Sequence, residues 1–452
     1  MEVTTKRSSF TGKIGFVLAA AGSAVGLGNI WRFPYLAAKY GGGIFLLVYV
    51  ALAVSFGFVL MMAEIAIGRK TGKSAIEAFT ALDKRFSFVG WLTALVPIII
   101  LPYYSVIGGW VMKYIFGFVS GDGANMATDN YFSNYIGEVG EPILWFGIFI
   151  LATAVVVFFG VEKGIEKVSK FMMPALIVFM VFIVIYTFCT TDGILDGLIY
   201  YVKPDFSKFS FMTVVAALGQ LFYSMSLAMG IMITFGSYMK KDISIEKSIH
   251  QIEIFDSGIA FLSGLMIVPA VVAIMGEGAV DKGPSLMFIT LPKIFESMPG
   301  GAIIGAIFFV MVLLAALTSS ISLMETIVSI VMDKAGLSRR VSCLVVFGGV
   351  FVLGVPSLLG FNVWSEVKIL GLQFLDFFDF ISNSVIMPII AIITCIFVGY
   401  FLKPKAIIEE ANLENKPVTV KLFTVIIRYV APVCLVAILV SSILDVFGIL
   451  KI

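Results

Sequence analysis

The sequence has few charged residues: Asp, Glu, Lys and Arg make up only 13% of its 452 residues, while 60% are hydrophobic. Soluble domains carry about 25% charged and about 45–50% apolar residues. A buried core cannot absorb so much apolar surface, so a soluble globular protein is excluded. With 31 basic and 29 acidic residues, the charge balance also gives no sign of a nucleic-acid partner.

Cysteine and histidine are scarce as well. Cys189, Cys343, Cys395 and Cys434 lie in apolar stretches and form no CxxC pair, which argues against a disulfide framework or a zinc site. We expect all four to be small buried apolar residues. His250 is the only histidine, so a metal site or proton relay built from several histidines is excluded.

Long apolar runs dominate what remains. A bilayer core of about 30 Å requires about 20 apolar residues in a helix, whereas an outer-membrane barrel would alternate apolar and polar residues. The runs predict an all-α polytopic membrane protein with about eleven transmembrane helices. The predicted spans are 13–37, 42–68, 88–117, 143–160, 167–189, 211–239, 252–275, 302–331, 341–359, 370–401 and 422–447. A shorter apolar stretch at 285–298 predicts a re-entrant or surface element.

Basic residues collect in alternate loops, and the loop at 119–141 has none. The positive-inside rule places the basic loops in the cytoplasm. We therefore expect a multi-pass protein of the cell membrane, plasma or inner, with a cytoplasmic N-terminus and, for an odd number of spans, an extracellular C-terminus. The basic loops lie within 6–13, 69–85, 163–170, 240–247, 334–340 and 403–421.

Two predicted spans are interrupted by small residues, the first at 22–29 and the sixth at 224–230. Each opens a block of five helices, which is typical of transporters built from inverted repeats with a binding site at mid-membrane. Unwound backbone is tolerated in lipid where its carbonyls bind a cation and its N–H groups bind an anion. The alternative is that glycine and alanine only allow close helix packing. The resulting division is 1–205 for helices 1–5, 206–401 for helices 6–10, and 402–452 for helix 11 and the tail.

Polar residues inside membrane spans are functional candidates. Sodium is a hard cation that prefers oxygen ligands, and the hydroxyls of residues 318–320 could supply them. The alternative is that these hydroxyls only bond carbonyls of their own helix. The candidates are Asn29, Glu64, Gln220, Ser224, Asp256, Thr318, Ser319, Ser320 and Asp379.

Several motifs, in order and spread over about residues 8–447, resemble the neurotransmitter:sodium symporter family, which has the fold of the bacterial leucine transporter. They are GSAVGLGNIWRFPY at 22–35, GGG at 41–43, GIEKVSKFMMP at 164–174, residues 220–238, and LTSSISLME at 317–325. Many members have twelve helices. With about eleven, this chain resembles the short bacterial members, one of which transports tyrosine.

The resemblance implies two sodium sites, an amino-acid pocket and two gates. Sodium site 1 would comprise Ala24, Asn29, Ser224 and Asp256, and sodium site 2 would comprise Gly22, Val25, Ala315, Thr318 and Ser319. The pocket would be lined by Ser23, Ala24, Leu27, Gly28, Ile100, Tyr104, Phe222, Tyr223, Ser224, Ser226, Met229, Ser319 and Leu323, with the Tyr104 hydroxyl bonding the substrate carboxylate. The gates would pair Arg32 with Asp379 outside, and Arg7 with Asp333 near Tyr238 inside.

Departures from the family pattern narrow the expected function. Gly26 replaces the aspartate of the amine transporters, which favours an amino acid over a monoamine. Asp256 and Ala260 replace the Asn and Ser of chloride-dependent members, so we expect chloride independence. Tyr223 and Met229 line a pocket able to hold a hydrophobic or aromatic side chain, since methionine adapts to irregular apolar ligands.

Asp256 also suggests a proton step. A lone carboxylate in an apolar interior tends to take up a proton once its cation leaves. Our hypothesis is that the empty carrier returns with a proton on Asp256, which would couple amino-acid and sodium import to proton export.

The function that follows is sodium-driven import of an amino acid by alternating access. We expect two sodium ions and no chloride. The expected partners are the amino-acid substrate and the lipid bilayer, without nucleic acid. An enzyme is disfavoured because the sequence contains no nucleophile–base pair, Walker loop or cofactor motif. An ion channel would show flux far above carrier turnover, and a non-transporting amino-acid sensor would bind without accumulating substrate. The sequence leaves the particular amino acid and the oligomeric state open.

Overall fold

The computed structural model describes residues 9–276, 280, 284–447 and 449 and confirms an all-helical membrane protein. Within these residues, nine helices are long and apolar enough to cross a bilayer, and the first span is a bent pair of shorter helices. The sixth span consists of two further short helices. The elements are α1 (Lys13–Ala24), α2 (Gly28–Lys39), α3 (Gly43–Thr71), α4 (Lys84–Ser120), α5 (Gly140–Phe158), α6 (Val161–Thr190), α7 (Phe211–Ser224), α8 (Ile231–Ser237), α9 (Ile245–Met275), α10 (Gly301–Ala335), α11 (Arg339–Leu359), α12 (Phe374–Phe401) and α13 (Pro417–Val446).

Both predicted interruptions are confirmed. The axes of α1 and α2 differ by 57°, and Val25 between them is extended (φ −78°, ψ 108°). Between α7 and α8, Ser226 and Ala228 adopt positive φ angles of 53° and 59°. Such angles are uncommon for residues with a Cβ and concentrate at functional sites. Within the described residues, the bent pair α1–α2 counts as a tenth span, and adding the broken pair α7–α8 would give the eleven expected from the sequence.

Small residues hold the second half of the broken sixth span against a neighbouring helix. Gly68 of α3 lies against the carbonyl of Ile233, and Gly236 of α8 lies against the carbonyl of Ile65. Neither position has room for a Cβ. Close backbone approach through small residues is a common way for helices to associate in lipid, and here it anchors α8 beside the break.

Several spans are longer than predicted. Helix α9, the seventh predicted span, begins at Ile245 rather than at 252, and α10, the eighth, ends at Ala335 rather than at 331. Hydropathy marks the apolar core of a span, but a helix continues into water as long as its backbone hydrogen bonds persist. The apolar stretch at 285–298 forms a short helical segment from Leu286 to Ser297.

One expectation about cysteine is wrong. Cys343 and Cys395 are buried, but Cys189 is exposed and Cys434 is only partly buried. Cys189 lies on α6, a helix with many exposed apolar side chains. In a membrane protein such a surface faces lipid, so an apolar sequence context does not imply burial inside the protein.

Candidate functional site

A cavity lies where the two broken spans meet α4 and α10. Its lining residues are Ser23, Ala24, Gly26, Leu27, Gly28, Asn29, Ile100, Tyr104, Tyr223, Ser224, Ser226, Met229, Ile231, Ser319 and Leu323. Phe222, which the resemblance assigned to the pocket, is buried at 2% exposure but is absent from this lining.

The first polar cluster surrounds Asp256, whose side chain is completely buried. Its Oδ1 accepts a hydrogen bond from Asn29 Nδ2 at 2.8 Å, and its Oδ2 accepts one from Ser224 Oγ at 3.2 Å. The hydroxyl of Tyr49 donates to the same Oδ2 at 2.8 Å and lies 3.0 Å from Ser224 Oγ. Three residues predicted for sodium site 1 therefore meet, and Ala24 lines the adjacent cavity.

Tyr49 is a member of this cluster that sequence reasoning missed. It lies in α3 within an uninterrupted apolar run and is 1% exposed. A buried tyrosine hydroxyl usually has a hydrogen-bond partner, so a tyrosine deep in a span was the available signal. The sequence offered no way to choose Asp256 as that partner.

The second cluster joins the unwound part of the first span to α10. Ser319 Oγ lies 3.1 Å from the carbonyl oxygens of Ser23 and Val25 and 3.4 Å from that of Gly22. Thr318 packs against Gly22. Main-chain carbonyls and hydroxyls therefore converge here, which is the donor set that a hard cation prefers.

Thr318 also shows the behaviour expected of an ordinary helical threonine. Its hydroxyl donates to the carbonyl oxygens of Leu314 at 3.1 Å and Ala315 at 3.0 Å. The predicted members of sodium site 2 therefore lie together, with the Thr318 hydroxyl bonded within its own helix.

Hydrogen bonds link the two broken spans directly. Ser226 Oγ donates to the Ser23 carbonyl at 3.0 Å, and Gln220 Nε2 donates to the Gly28 carbonyl at 3.1 Å. The N–H of Leu27 donates to the Tyr104 hydroxyl at 3.4 Å. These bonds satisfy backbone groups that helix formation would otherwise pair, and they place the Tyr104 hydroxyl at the cavity wall.

Glu64 stabilises the break in the sixth span. It is 5% exposed, and its Oε1 accepts the N–H of Ala228 at 2.6 Å. The sequence marked Glu64 as an intramembrane polar residue but assigned it no role. Its partner is a main-chain N–H group, which leaves no trace in a residue pattern.

At one end of the cavity, the predicted Arg32–Asp379 pair is replaced by separate contacts. The Arg32 guanidinium lies 5.5 Å from the centre of the Tyr223 ring. Asp379 accepts hydrogen bonds from Tyr103 at 3.0 Å and Asn383 at 2.7 Å. Across the described residues, no ion pair within 4.0 Å joins Arg32 to Asp379. The aromatic ring and the polar side chains hold the two charges instead.

At the opposite end, Arg7 lies outside the described residues, so its predicted pair with Asp333 has no structural counterpart to compare. Asp333 accepts the N–H of Ser74 at 2.8 Å. The hydroxyl of Tyr238 donates to Glu325 at 2.7 Å, and Glu325 forms an ion pair with Arg339. The Glu325–Arg339 ion pair is a polar contact that sequence reasoning missed.

Comparisons with known proteins agree with this architecture. The chain is 32% identical to an uncharacterized sodium-dependent transporter of Haemophilus influenzae, covering 97% of this chain and 98% of that protein. A human sodium- and chloride-dependent creatine transporter is 26% identical, covering 72% of this chain and 60% of that protein.

Among solved structures, the crystal structure of MhsT in complex with L-phenylalanine superposes with a TM-score of 0.87 at 35% identity, covering 96% of this chain and 100% of that one. The model of the sodium:neurotransmitter symporter family matches residues 7–133 and 125–449. A match of this extent leaves little of the chain unaccounted for. The chain therefore belongs to the sodium:neurotransmitter symporter family.

Proposed function

We propose that this protein imports an amino acid, hydrophobic or aromatic, by coupling its movement to two sodium ions. The observation that carries the proposal is the meeting of two broken spans at one cavity, beside the buried carboxylate of Asp256 and the carbonyls around Ser319. The likeness to MhsT, whose crystal structure contains phenylalanine, supports an amino-acid substrate.

The residues divide the work as follows. Asn29, Ser224 and Asp256 with the Ala24 carbonyl would hold one sodium ion, and the group around Thr318 and Ser319 would hold the other. The substrate carboxylate would lie near the Tyr104 hydroxyl and the free N–H groups of the first break. The substrate's side chain would contact the apolar residues of the cavity lining, which include Ile100, Met229, Ile231 and Leu323.

Two sodium ions provide enough driving force for accumulation. Each charge that moves across 100 mV supplies about 2.3 kcal/mol, so two sodium ions supply about 4.6 kcal/mol in a cycle that exports no proton. Because about 1.4 kcal/mol corresponds to a tenfold ratio, the potential alone supports roughly a thousandfold gradient. No covalent chemistry is required of the protein.

Alternating access would open the two ends of the cavity in turn. Arg32 and Asp379 would act at the outer end, and Arg7, Asp333 and Tyr238 at the inner end. Rocking of the repeat at 1–205 against that at 206–401 is the corresponding motion. The assignment of the inner end to the cytoplasm rests on the basic loops.

Chloride independence and proton export belong to the same proposal. Asp256 places a fixed negative charge beside the proposed sodium ion, a role that chloride could otherwise fill. Uptake into proteoliposomes at an unchanged rate after gluconate replaces chloride is the expected result. A clear fall in rate would contradict this part of the proposal, and the relative that is chloride-dependent by name makes the measurement necessary.

The test of the function is a competition panel. Purified protein in proteoliposomes is given a labelled aromatic amino acid with an imposed sodium gradient, and each unlabelled amino acid is added in excess. We expect accumulation above equilibrium that hydrophobic and aromatic amino acids suppress. Binding without accumulation would favour a sensor, and flux far above carrier turnover would favour a channel.

A further inference from the structure

The only histidine of the chain is bonded to a buried glutamate on α9. His250 Nδ1 lies 3.0 Å from Glu253 Oε2. The His250 side chain is 50% exposed and that of Glu253 is 4% exposed. Phe58 of α3 stacks on the imidazole, with 4.8 Å between ring centres. The pair therefore connects the interior of the protein with its surface.

Glu253 has an oxygen atom that lacks a partner. Its Oε1 is buried, and the described part of the structure provides no hydrogen bond to it. Buried polar atoms are nearly always bonded, so an exception needs an explanation. Burial without compensating donors disfavours a charged carboxylate and favours the neutral acid.

Asp256 differs in this respect. Its two oxygens accept hydrogen bonds from Asn29, Tyr49 and Ser224, so donors compensate its charge. Of the two carboxyl groups on this face of α9, the one with an oxygen free to carry a proton is that of Glu253.

The two carboxyl groups are close enough to influence each other. Residues three apart on a helix have Cβ atoms about 5–6 Å from each other. Two negative charges on such neighbouring side chains repel each other in an apolar interior, and a cation next to one of them offsets the repulsion. The titratable groups that interact with Glu253 are His250 and Asp256, both on α9. The neighbouring helices contribute Phe58 here, and Asn29 and Tyr49 at Asp256, which are uncharged at neutral pH.

We propose that Glu253, reached from the cytoplasm through His250, is a proton-binding site that competes with sodium at Asp256. The inference rests on the proposed sodium site. It places the proton of the sodium-free carrier on Glu253, one helical turn away, in place of Asp256, which the sequence alone suggested. When sodium leaves, the charge of Asp256 is exposed and Glu253 takes up a proton; when sodium returns, the proton is released. Because such coupling is reciprocal, an acidic cytoplasm favours the sodium-free carrier.

The test uses sodium binding without any amino acid. A ligand that binds only the folded state raises Tm, so the sodium concentration that gives half of the maximal rise reports affinity. In the unaltered protein we expect more sodium to be needed at pH about 6 than at about 8, with a limit of about tenfold for each pH unit when one proton competes. In Glu253→Gln, the sodium concentrations needed at the two pH values should differ by less than about twofold. In His250→Gln the pH dependence should extend to higher pH, because Glu253 loses its hydrogen-bond partner.

Lys247→Gln is the matched control, since it removes a charge from an exposed position one turn before His250 on the same helix. It should behave as the unaltered protein does. An unchanged pH dependence in Glu253→Gln would overturn the inference, as would an unchanged dependence in His250→Gln should the first variant fail to fold. Absence of any sodium effect at either pH would instead contradict the proposed sodium sites, and the inference with them.

Discussion

Gly26 shows how a single missing side chain shapes the cavity. A Cβ at this position would lie 2.8 Å from Ser319 Oγ and 3.1 Å from the Tyr104 hydroxyl. The first contact is shorter than carbon–oxygen packing allows, so a larger residue must displace Ser319. The sequence showed that Gly26 provides no carboxylate. The structure adds that any side chain at this position would displace the Ser319 and Tyr104 hydroxyls.

We predict that Gly26→Ala lowers the affinity for an amino-acid substrate by about tenfold, equivalent to about 1.4 kcal/mol, because the Ser319 hydroxyl has to leave its contacts with the Ser23 and Val25 carbonyls. Gly26→Asp should abolish binding. Gly219→Ala is the control, since a Cβ at Gly219 of α7 meets nothing within 4 Å. The measurement is equilibrium binding of labelled phenylalanine. Equal affinity in Gly26→Ala and Gly219→Ala would contradict the prediction, because it would show that the cavity accommodates the added methyl group.

At the scale of single residues, the sequence predicts which residue types form the site better than it predicts where their side chains point. Asn29, Asp256 and Ser319 could be selected because polar atoms in a span need partners. The absence of Phe222 from the lining and the participation of Ile231 depend on the local helix phase next to a break, whereas that of Tyr49 depends on how α3 packs against α9. Periodicity loses its meaning where the helix unwinds, so these details required the structure.

At the scale of elements, a buried ion pair joins α10 to α11, and we expect it to stabilise the packing of these helices. Glu325 of α10 has no exposed side-chain surface, and its partner Arg339 of α11 is 17% exposed. The same carboxylate accepts the Tyr238 hydroxyl at 2.7 Å. One buried carboxylate thus holds α8, α10 and α11 together at the proposed inner end.

We predict that Glu325→Ala destabilises the protein by about 3–5 kcal/mol, because removing one partner leaves a largely buried charge uncompensated. Glu325→Ala combined with Arg339→Leu should recover most of that loss. Thermal unfolding in detergent provides the measurement.

Glu409→Ala is the control, since Glu409 and Lys405 form a solvent-exposed pair of 48% and 83% exposed side chains. Surface pairs contribute about 0–1 kcal/mol, so little change is expected. A double variant less stable than Glu325→Ala would contradict the account.

The elements themselves could be predicted largely from composition, because a run of about 20 apolar residues has few alternatives to a spanning helix. The breaks could be predicted from Gly22–Asn29 and Ser224–Gly230, where small residues weaken a helix at matching positions of the two blocks. What the sequence did not predict was the support of each break by partners from other helices. Glu64 and Gln220 both bond main-chain groups, and a main-chain partner has no residue type to recognise.

For the whole molecule, the distribution of basic loops predicts its orientation. We expect a cysteine placed at the exposed Asn125 to react with a membrane-impermeant maleimide on intact cells, because its loop lacks basic residues and should lie outside. A cysteine placed at Lys247 should react only after permeabilisation. Both are introduced after the four native cysteines are replaced, since Cys189 is exposed. The reverse pattern would show an inverted topology.

The central claim concerns the entire assembly: two broken spans bind sodium next to the substrate. Equilibrium binding of labelled phenylalanine to purified protein, with sodium or with potassium at the same ionic strength, tests it most directly. The account predicts binding in sodium that is lost in potassium and strongly reduced in Asn29→Ala and Thr318→Ala, one variant for each proposed ion site. Equal binding in potassium, or full sodium-dependent binding in both variants, would contradict it.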